Sequence, residues 1–288
     1  MKRFYKIMGN LAGIFAGLGL ILCIVGAVTG ARGIIIFTKD KGFEIINNEE
    51  QYKYENMDLA LFSNIKIDTH IATVRIKNST DGKYGVKCNS WNKENPILVD
   101  VIDETLSIKD NESNIKFSID ILSIFGKSHK NEIIVYVPSD KMLDTVIINS
   151  KVGDVRFDEI FGANNVDVTA DVGEIRIESG TYGRVELSAN VGDIRANDTC
   201  VTDNLVVTSD VGDVKLSGKF ESDINITSNV GDVILHTSIS ESEYNYKISS
   251  DVGDIEWFGA ESHGTIKGNT SGKYNIYIKT NIGDIEVD

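Results

Sequence analysis

The chain has 288 residues, 41% of them hydrophobic, and its 29 basic against 43 acidic side chains leave a formal charge of −14. That size suffices for a real core in one large or two modest domains, while only two prolines, Pro96 and Pro138, rule out a proline-rich stalk. The acidic balance argues against nucleic acid, whose phosphates need a basic face, and favours small cations, cationic surfaces or neutral glycans.

The N-terminus carries Lys2, Arg3 and Lys6 ahead of an apolar segment over 7–31, interrupted only by Asn10 and Thr29. At 1.5 Å per residue such a helix exceeds a hydrocarbon core of about 30 Å, so a transmembrane anchor is predicted. The basic residues place 1–6 in the cytoplasm and everything after a juxtamembrane linker, 32–42, outside the cell membrane. A cleaved signal peptide is the rival reading, but its apolar region is usually shorter and "AVTGA" is a weak cleavage site. A lipoprotein fits less well, because Leu22 precedes Cys23. Gly9, Gly13 and Gly17 share one helix face, the spacing of a close helix–helix contact, although glycine is also common in membrane helices. Of the three cysteines only Cys88 and Cys200 lie beyond this segment; there is no CxxC pair, and a bridge between those two is left open.

Residues 43–139 read as an irregular β region that caps the array following it. "ILVDVIDETLSIKD" and "IKFSIDILSIFGKSHKNEIIVYVP" alternate like strands joined by turns. "NIKIDTHIATVRIKNS", 64–79, follows the grammar of the later repeat, with Ile71-Ala72-Thr73 in place of Val-Gly-Asp, and reads as a degenerate first coil.

Over 140–288 a Val-Gly-Asp motif recurs at Gly153, Gly173, Gly192, Gly212, Gly231, Gly253 and Gly283. A period near twenty is the mark of stacked repeats. The fold class expected is all-β, a parallel β-solenoid of about 20 residues per coil, preceded by one transmembrane helix. In "VDVTADVGEIRIE" the inward phase slips between Val172 and Ile175, so the glycine is read as the residue that lets the strand turn a corner. Val152, Val172, Val191, Val211, Val230, Val252 and Ile282 are expected to stack inside as an aliphatic column. Ser150, Ala170, Ala189, Ser209, Ser228, Ser250 and Thr280 form a second, small inner column. The column Lys151, Asp171, Asn190, Asp210, Asn229, Asp251, Asn281 faces outward and alternates charge from Asp171 on, which dilutes repulsion between neighbouring coils. The long last interval, with "SHGTIKGNTSGKYN", is expected to fold over as a lid; without one, an open edge would invite self-association.

After each glycine stands an acid: Asp154, Glu174, Asp193, Asp213, Asp232, Asp254, Asp284. Two readings stand side by side. Either the carboxylates accept turn N–H groups, or they hold calcium, which takes six to eight oxygens, though the glycine-rich nonapeptide of calcium-binding β-rolls is missing. Arg156, Arg176, Arg195 and Lys215 form a basic column two residues beyond the acids. His70, His129, His236 and His263 show no ligand spacing, and neither a nucleophile elbow nor a phosphate loop occurs. Carboxylate pairs follow from the repeat itself, so a lyase or glycosidase site finds little support.

An apolar anchor, the run "IIVYVPSDKMLDTVIINSKVGDVRF" and serial "VGDV" repeats resemble the bacterial putative-adhesin family of membrane-anchored β-strand-repeat proteins of the cell envelope. The likeness covers most of 43–288. It implies a non-enzymatic protein without cofactors, displayed outside the membrane and binding a cell-wall or surface glycan. Because some members accompany envelope-stress signalling systems, it equally implies an accessory role beside a membrane signalling protein.

Overall fold

The computed structural model describes residues 34–38, 42–46, 52–90, 97–110, 115–120, 131–158 and 160–288. The predicted anchor 7–31, with Gly9, Gly13 and Gly17, lies outside the described residues. Among those that are described, no helix is long and apolar enough to cross a membrane. The chain divides into two units. In the smaller, Ile34–Thr38 pairs antiparallel with Gly42–Ile46 on one side and Ile115–Asp120 on the other. Part of the expected linker is thus a strand, and 43–46 and 115–120, within the expected cap region, lie in this sheet.

The larger unit is a stack of parallel coils. Each coil has one strand entering the corner, the four-residue corner itself, and one strand leaving it. Numbered along the chain, the entering strands lie in Asn64–Ile71, Met142–Val152, Gly162–Val172, 185–191, 205–211, Asp223–Val230, 244–252 and Tyr274–Ile282, coils 1 to 8. They pair in register, with Ile71 opposite Val152, Val152 opposite Val172, and so on through Val191, Val211 and Val230. The leaving strands form a second ladder, Val74 opposite Val155, then Ile175, Ile194, Val214 and Val233. Coil 1 therefore stacks on the repeat although Ala72 stands where the glycine is elsewhere.

Stacking order departs from chain order at the end. Coil 8 pairs with coil 6 through Val230 and Ile282, and coil 7 pairs with the far side of coil 8 through Val252 and Ile282. The insertion gives the last coil two neighbours, so Ile276, Ile278, Ile285 and Val287 are all buried. Coil 7 is left outermost and is covered by Ala260–Gly268, which pairs antiparallel with it; this is the expected lid. At the opposite end Thr105–Lys109 and Glu132–Pro138 add parallel to coil 1 and are themselves bordered by antiparallel strands. A buried carboxylate fastens that end: Asp110 Oδ2 accepts the Thr69 hydroxyl at 2.6 Å and the His70 backbone N–H at 2.7 Å, while Oδ1 meets His70 Nδ1 at 2.7 Å.

The core is one hydrophobic cluster filling the coils, with Trp257, Tyr182, Tyr244, Phe62, Phe157 and Phe220 as its largest members. The small inner column is buried as expected. The valine column is not: Val152, Val172, Val191, Val211, Val230, Val252 and Ile282 are 42–64% exposed. The reason lies in where the phase slips. Inward positions are Ala170 and then Ile175, so Asp171, Val172, Gly173 and Glu174 all stand outside the core on the corner. The charge alternation is also broken at the end, because the inserted coil sets Asn281 beside Asn229 and leaves Asp251 outermost.

Backbone hydrogen bonds do not stop at the corner. Gly173 N–H donates to Val191 O, Gly192 N–H to Val211 O and Gly212 N–H to Val230 O, each at 2.9 Å. Such close passage needs glycine: at Gly212, with φ +143°, an added Cβ would lie 2.3 Å from Gly192 O. Gly212→Ala should therefore cost at least roughly 1–3 kcal/mol from backbone conformation alone, and more from the clash. Gly259→Ala, at φ +79° with open space around it, should cost about 1–2 kcal/mol; denaturation midpoints of the two variants test the difference. In the same assay Val207→Ala, fully buried, should lose about 2 kcal/mol, whereas Val211→Ala, 48% exposed, should stay within about 1 kcal/mol of the parent.

Candidate functional site

Three parallel rows on the outside of the entering strands make up the most regular surface of the protein. Outermost is the aliphatic ridge from Val152 to Val252. Beside it runs the amide and acid row, in which Asn190 Nδ2 donates to Asp171 Oδ1 at 3.1 Å and Asn229 Nδ2 to Asp210 Oδ1 at 2.7 Å. Two residues further back stands a hydroxyl row, Thr169, Ser188, Thr208 and Thr227, directly opposite one another. Each row repeats at the strand spacing of about 4.8 Å, because the side chains are carried by neighbouring strands of one sheet.

The acid column sits on the other flank of the ridge. Its carboxylates accept the backbone N–H of the acid on the adjacent coil: Asp154 Oδ1 from Glu174 at 3.0 Å, Asp193 Oδ1 from Asp213 at 3.0 Å, Asp213 Oδ1 from Asp232 at 3.1 Å. The pattern continues across the inserted coil, with Asp232 accepting from Asp284 and Asp284 from Asp254, at 2.9 and 2.8 Å. Glu174 uses its longer side chain differently, meeting Arg156 and Arg195 at 3.2 Å each. These bonds offset the repulsion that a column of like charges would suffer. All seven predicted acids are thus brought into one line, with one oxygen of five of them already engaged by backbone.

The basic column is equally in register, Arg75, Arg156, Arg176, Arg195 and Lys215. Each member holds an acid: Asp158 for Arg75, Asp154 for Arg156, Glu178 for Arg176, Asp193 for Arg195 and Asp213 for Lys215. From Arg75 to Lys215 this face is consequently neutralised from within; beyond Lys215 the same positions are Ile234, Glu286 and Glu256. Cys88 and Cys200 are both free thiols; burial pushes the Cys88 thiol up to about 12.

One grouping escaped the sequence. His236, Glu286 and Asp288 bring ligand-type atoms within 4.8 Å of one another, the single such group among the described residues. It arises because coil 8 is inserted beside coil 6, which sets His236 against a residue 52 positions away. No spacing rule reveals a contact made by a change of stacking order.

The corner glycines, in-register parallel coils and outward rows describe a repeat architecture, and the family profile of Toastrack DUF4097 matches residues 62–256 and 163–288. The chain belongs to the Toastrack DUF4097 family. A solved structure described as a putative adhesin from Bacteroides fragilis shares the fold, with TM-score 0.50 and 18% identity over 83% of this chain and 98% of that one. A putative adhesin from Parabacteroides distasonis gives TM-score 0.42 at 13% identity, covering 83% and 97% of the two chains. A putative cell adhesion protein from Clostridium sporogenes gives 0.35 at 13%, covering 83% and 99%. No curated protein matches the chain. The toastrack fold accordingly rests on the family match and on the Bacteroides structure.

Within this toastrack chain the acid column makes stability depend on pH. The Arg195 guanidinium, followed by the Asp213 N–H, holds the Asp193 carboxyl below the usual carboxylate range, against the opposing effect of burial. A depressed folded value stabilises above the unfolded carboxylate pKa of about 3.9 and stops doing so as pH falls through the lower folded value. The melting temperature should therefore drop below about pH 4, and Arg195→Met should flatten that drop while leaving the shape of the curve above pH 6 unchanged. An equally steep acid limb in the variant would show that the pair does not contribute.

Proposed function

We propose that this toastrack protein is a non-enzymatic surface-binding module, held to the cell membrane by residues 7–31 with its β-solenoid outside, and that it binds an extended envelope polymer along the ridge. One observation carries the reading. Seven large aliphatic side chains stand exposed in a single line, flanked on one side by amides and hydroxyls whose spacing is fixed by the sheet. Scattered exposed apolar residues need no explanation, but a contiguous stripe rimmed by polar groups marks an interaction site. A flat, repeating row suits a repeating ligand, because weak contacts add along the chain. Its relatives' descriptions as adhesins fit the same use.

Co-sedimentation with purified cell-wall sacculi tests the reading on the full chain in detergent. The wild-type protein should pellet with the wall, and the pair Val191→Lys and Val211→Lys should reduce the bound fraction at least about tenfold, each lost contact adding to the next. Because both side chains point outward, the melting temperature should barely change. Equal pelleting of the variant would remove the ridge as the binding surface.

A further inference from the structure

The net charge conceals a local exception at the end of the stack. On the outer face of coils 6, 8 and 7, Asn225 lies opposite Tyr277, Tyr277 opposite Lys247, and Lys247 opposite Lys267 of the covering strand. Lys279 follows two residues after Tyr277 on the same face. Among the described residues no carboxylate lies within ion-pair distance of Lys247, Lys267 or Lys279, whereas every member of the basic column on the other ladder holds one. Two lysines directly opposite each other destabilise a sheet, and a chain carrying 43 acids has left this pair uncompensated.

Lys247 lines a groove of about 480 Å³ together with Asn204, Asp223, Asn225, Asn275 and Tyr277, and Lys267, opposite Lys247, and Lys279, two residues along from Tyr277, stand on the same outer face. Four adjacent coils supply its floor, paired in register from Asn204 through Asp223 and Asn275 to Asn245. Asn275 is fixed by two bonds to Asp223 Oδ1, at 2.8 and 3.1 Å, leaving the other carboxylate oxygen available. The side chains of Asn204 and Asn225 and the Tyr277 hydroxyl make no hydrogen bond among the described residues. Lys247 Nζ stands 5.5 Å from the centre of the half-buried Tyr277 ring.

We propose that this groove binds a carboxylated saccharide. Lys247, Lys267 and Lys279 meet its acid groups; the Asn204 and Asn225 amides and the free oxygen of Asp223 take its hydroxyls; the Tyr277 ring packs against the apolar face of the sugar. The mixture selects the class. A bare polyanion such as nucleic acid or a phosphate-rich membrane gains nothing from the amides and is repelled by Asp223, while a neutral sugar leaves the lysines unmatched. The inference rests on the surface-binding reading above and supplies a second, chemically distinct subsite, away from the ridge residues Val191 and Val211.

Fluorescence anisotropy with labelled oligogalacturonate tests it, using the full chain in nanodiscs of zwitterionic lipid. The wild-type protein should bind, and methyl esterification of the probe should weaken binding at least about tenfold, the loss expected when charge-assisted contacts go. Lys247→Gln with Lys279→Gln should do the same, and so should Tyr277→Ala or Asn225→Ala, whereas Lys215→Gln should not. All these side chains point outward, and unchanged melting curves confirm intact folding. Absence of binding, indifference to Tyr277→Ala and Asn225→Ala, or full displacement by phosphatidylglycerol vesicles or inorganic phosphate would each overturn the proposal. A wild-type protein that pellets with the wall but fails to bind oligogalacturonate would leave the ridge reading standing and remove only this groove; one that binds oligogalacturonate but does not pellet would remove the ridge alone.

Discussion

Coil-to-coil backbone hydrogen bonding that continues through the corner is the constraint on which this protein depends. In most β structures a turn interrupts the ladder, and its N–H and C=O groups are satisfied by water or side chains. Here the corner glycine donates to the carbonyl of the valine on the next coil, at 2.9 Å from one coil to another. Coils can approach that closely only when nothing projects from the glycine toward the neighbouring carbonyl. The valine before it and the acid after it are then held outside the core.

Once the corner is fixed, the chemistry of the outer surface follows. The acid after the glycine points along the stack, and its carboxylate can accept the N–H of the equivalent acid one coil on, so a column that would repel itself becomes a source of hydrogen bonds. From Asp154 to Asp213 the leaving strand turns Arg156, Arg195 and Lys215 back toward those acids and offsets their charge. The entering strand carries no such pairs over most of its length and shows amides, hydroxyls and aliphatic groups instead. Over the first five coils the protein thus has one face whose charges are paired and one face that is open to a partner. At the far end, where coil 8 slips between coils 6 and 7, the open face acquires three unmatched lysines around Tyr277.

Interleaving the last coil also settles how the stack ends. A parallel array presents bare strand edges at both ends, and such edges recruit other chains. At one end the array passes into antiparallel strands and is fastened by Asp110. At the other, the strand Ala260–Gly268 lies against coil 7, and Trp257 is stacked on Tyr246 at 4.0 Å while its indole N–H bonds to Glu241 at 2.7 Å.

Much of this was legible in the amino-acid sequence because a stacked repeat writes its contacts into its period. The spacing of Gly153 through Gly253 determined that residues twenty apart are neighbours, that Ser209 and its equivalents are small because they are enclosed, and that 64–79 belongs to the array despite lacking the glycine. It did not determine which way the valine points. Alternation alone assigns Val172 to the core, and only the path of the corner, where four consecutive residues leave the interior, turns it outward. Nor could the period report the order of the last coils, since a longer loop permits insertion as readily as continuation. The tertiary structure decided that order, and with it the company of His236, Lys247 and Tyr277, because coil 7 is followed directly by the strand Ala260–Gly268 that covers its edge, whereas the final coil has no such strand after it and takes its second neighbour from coil 7.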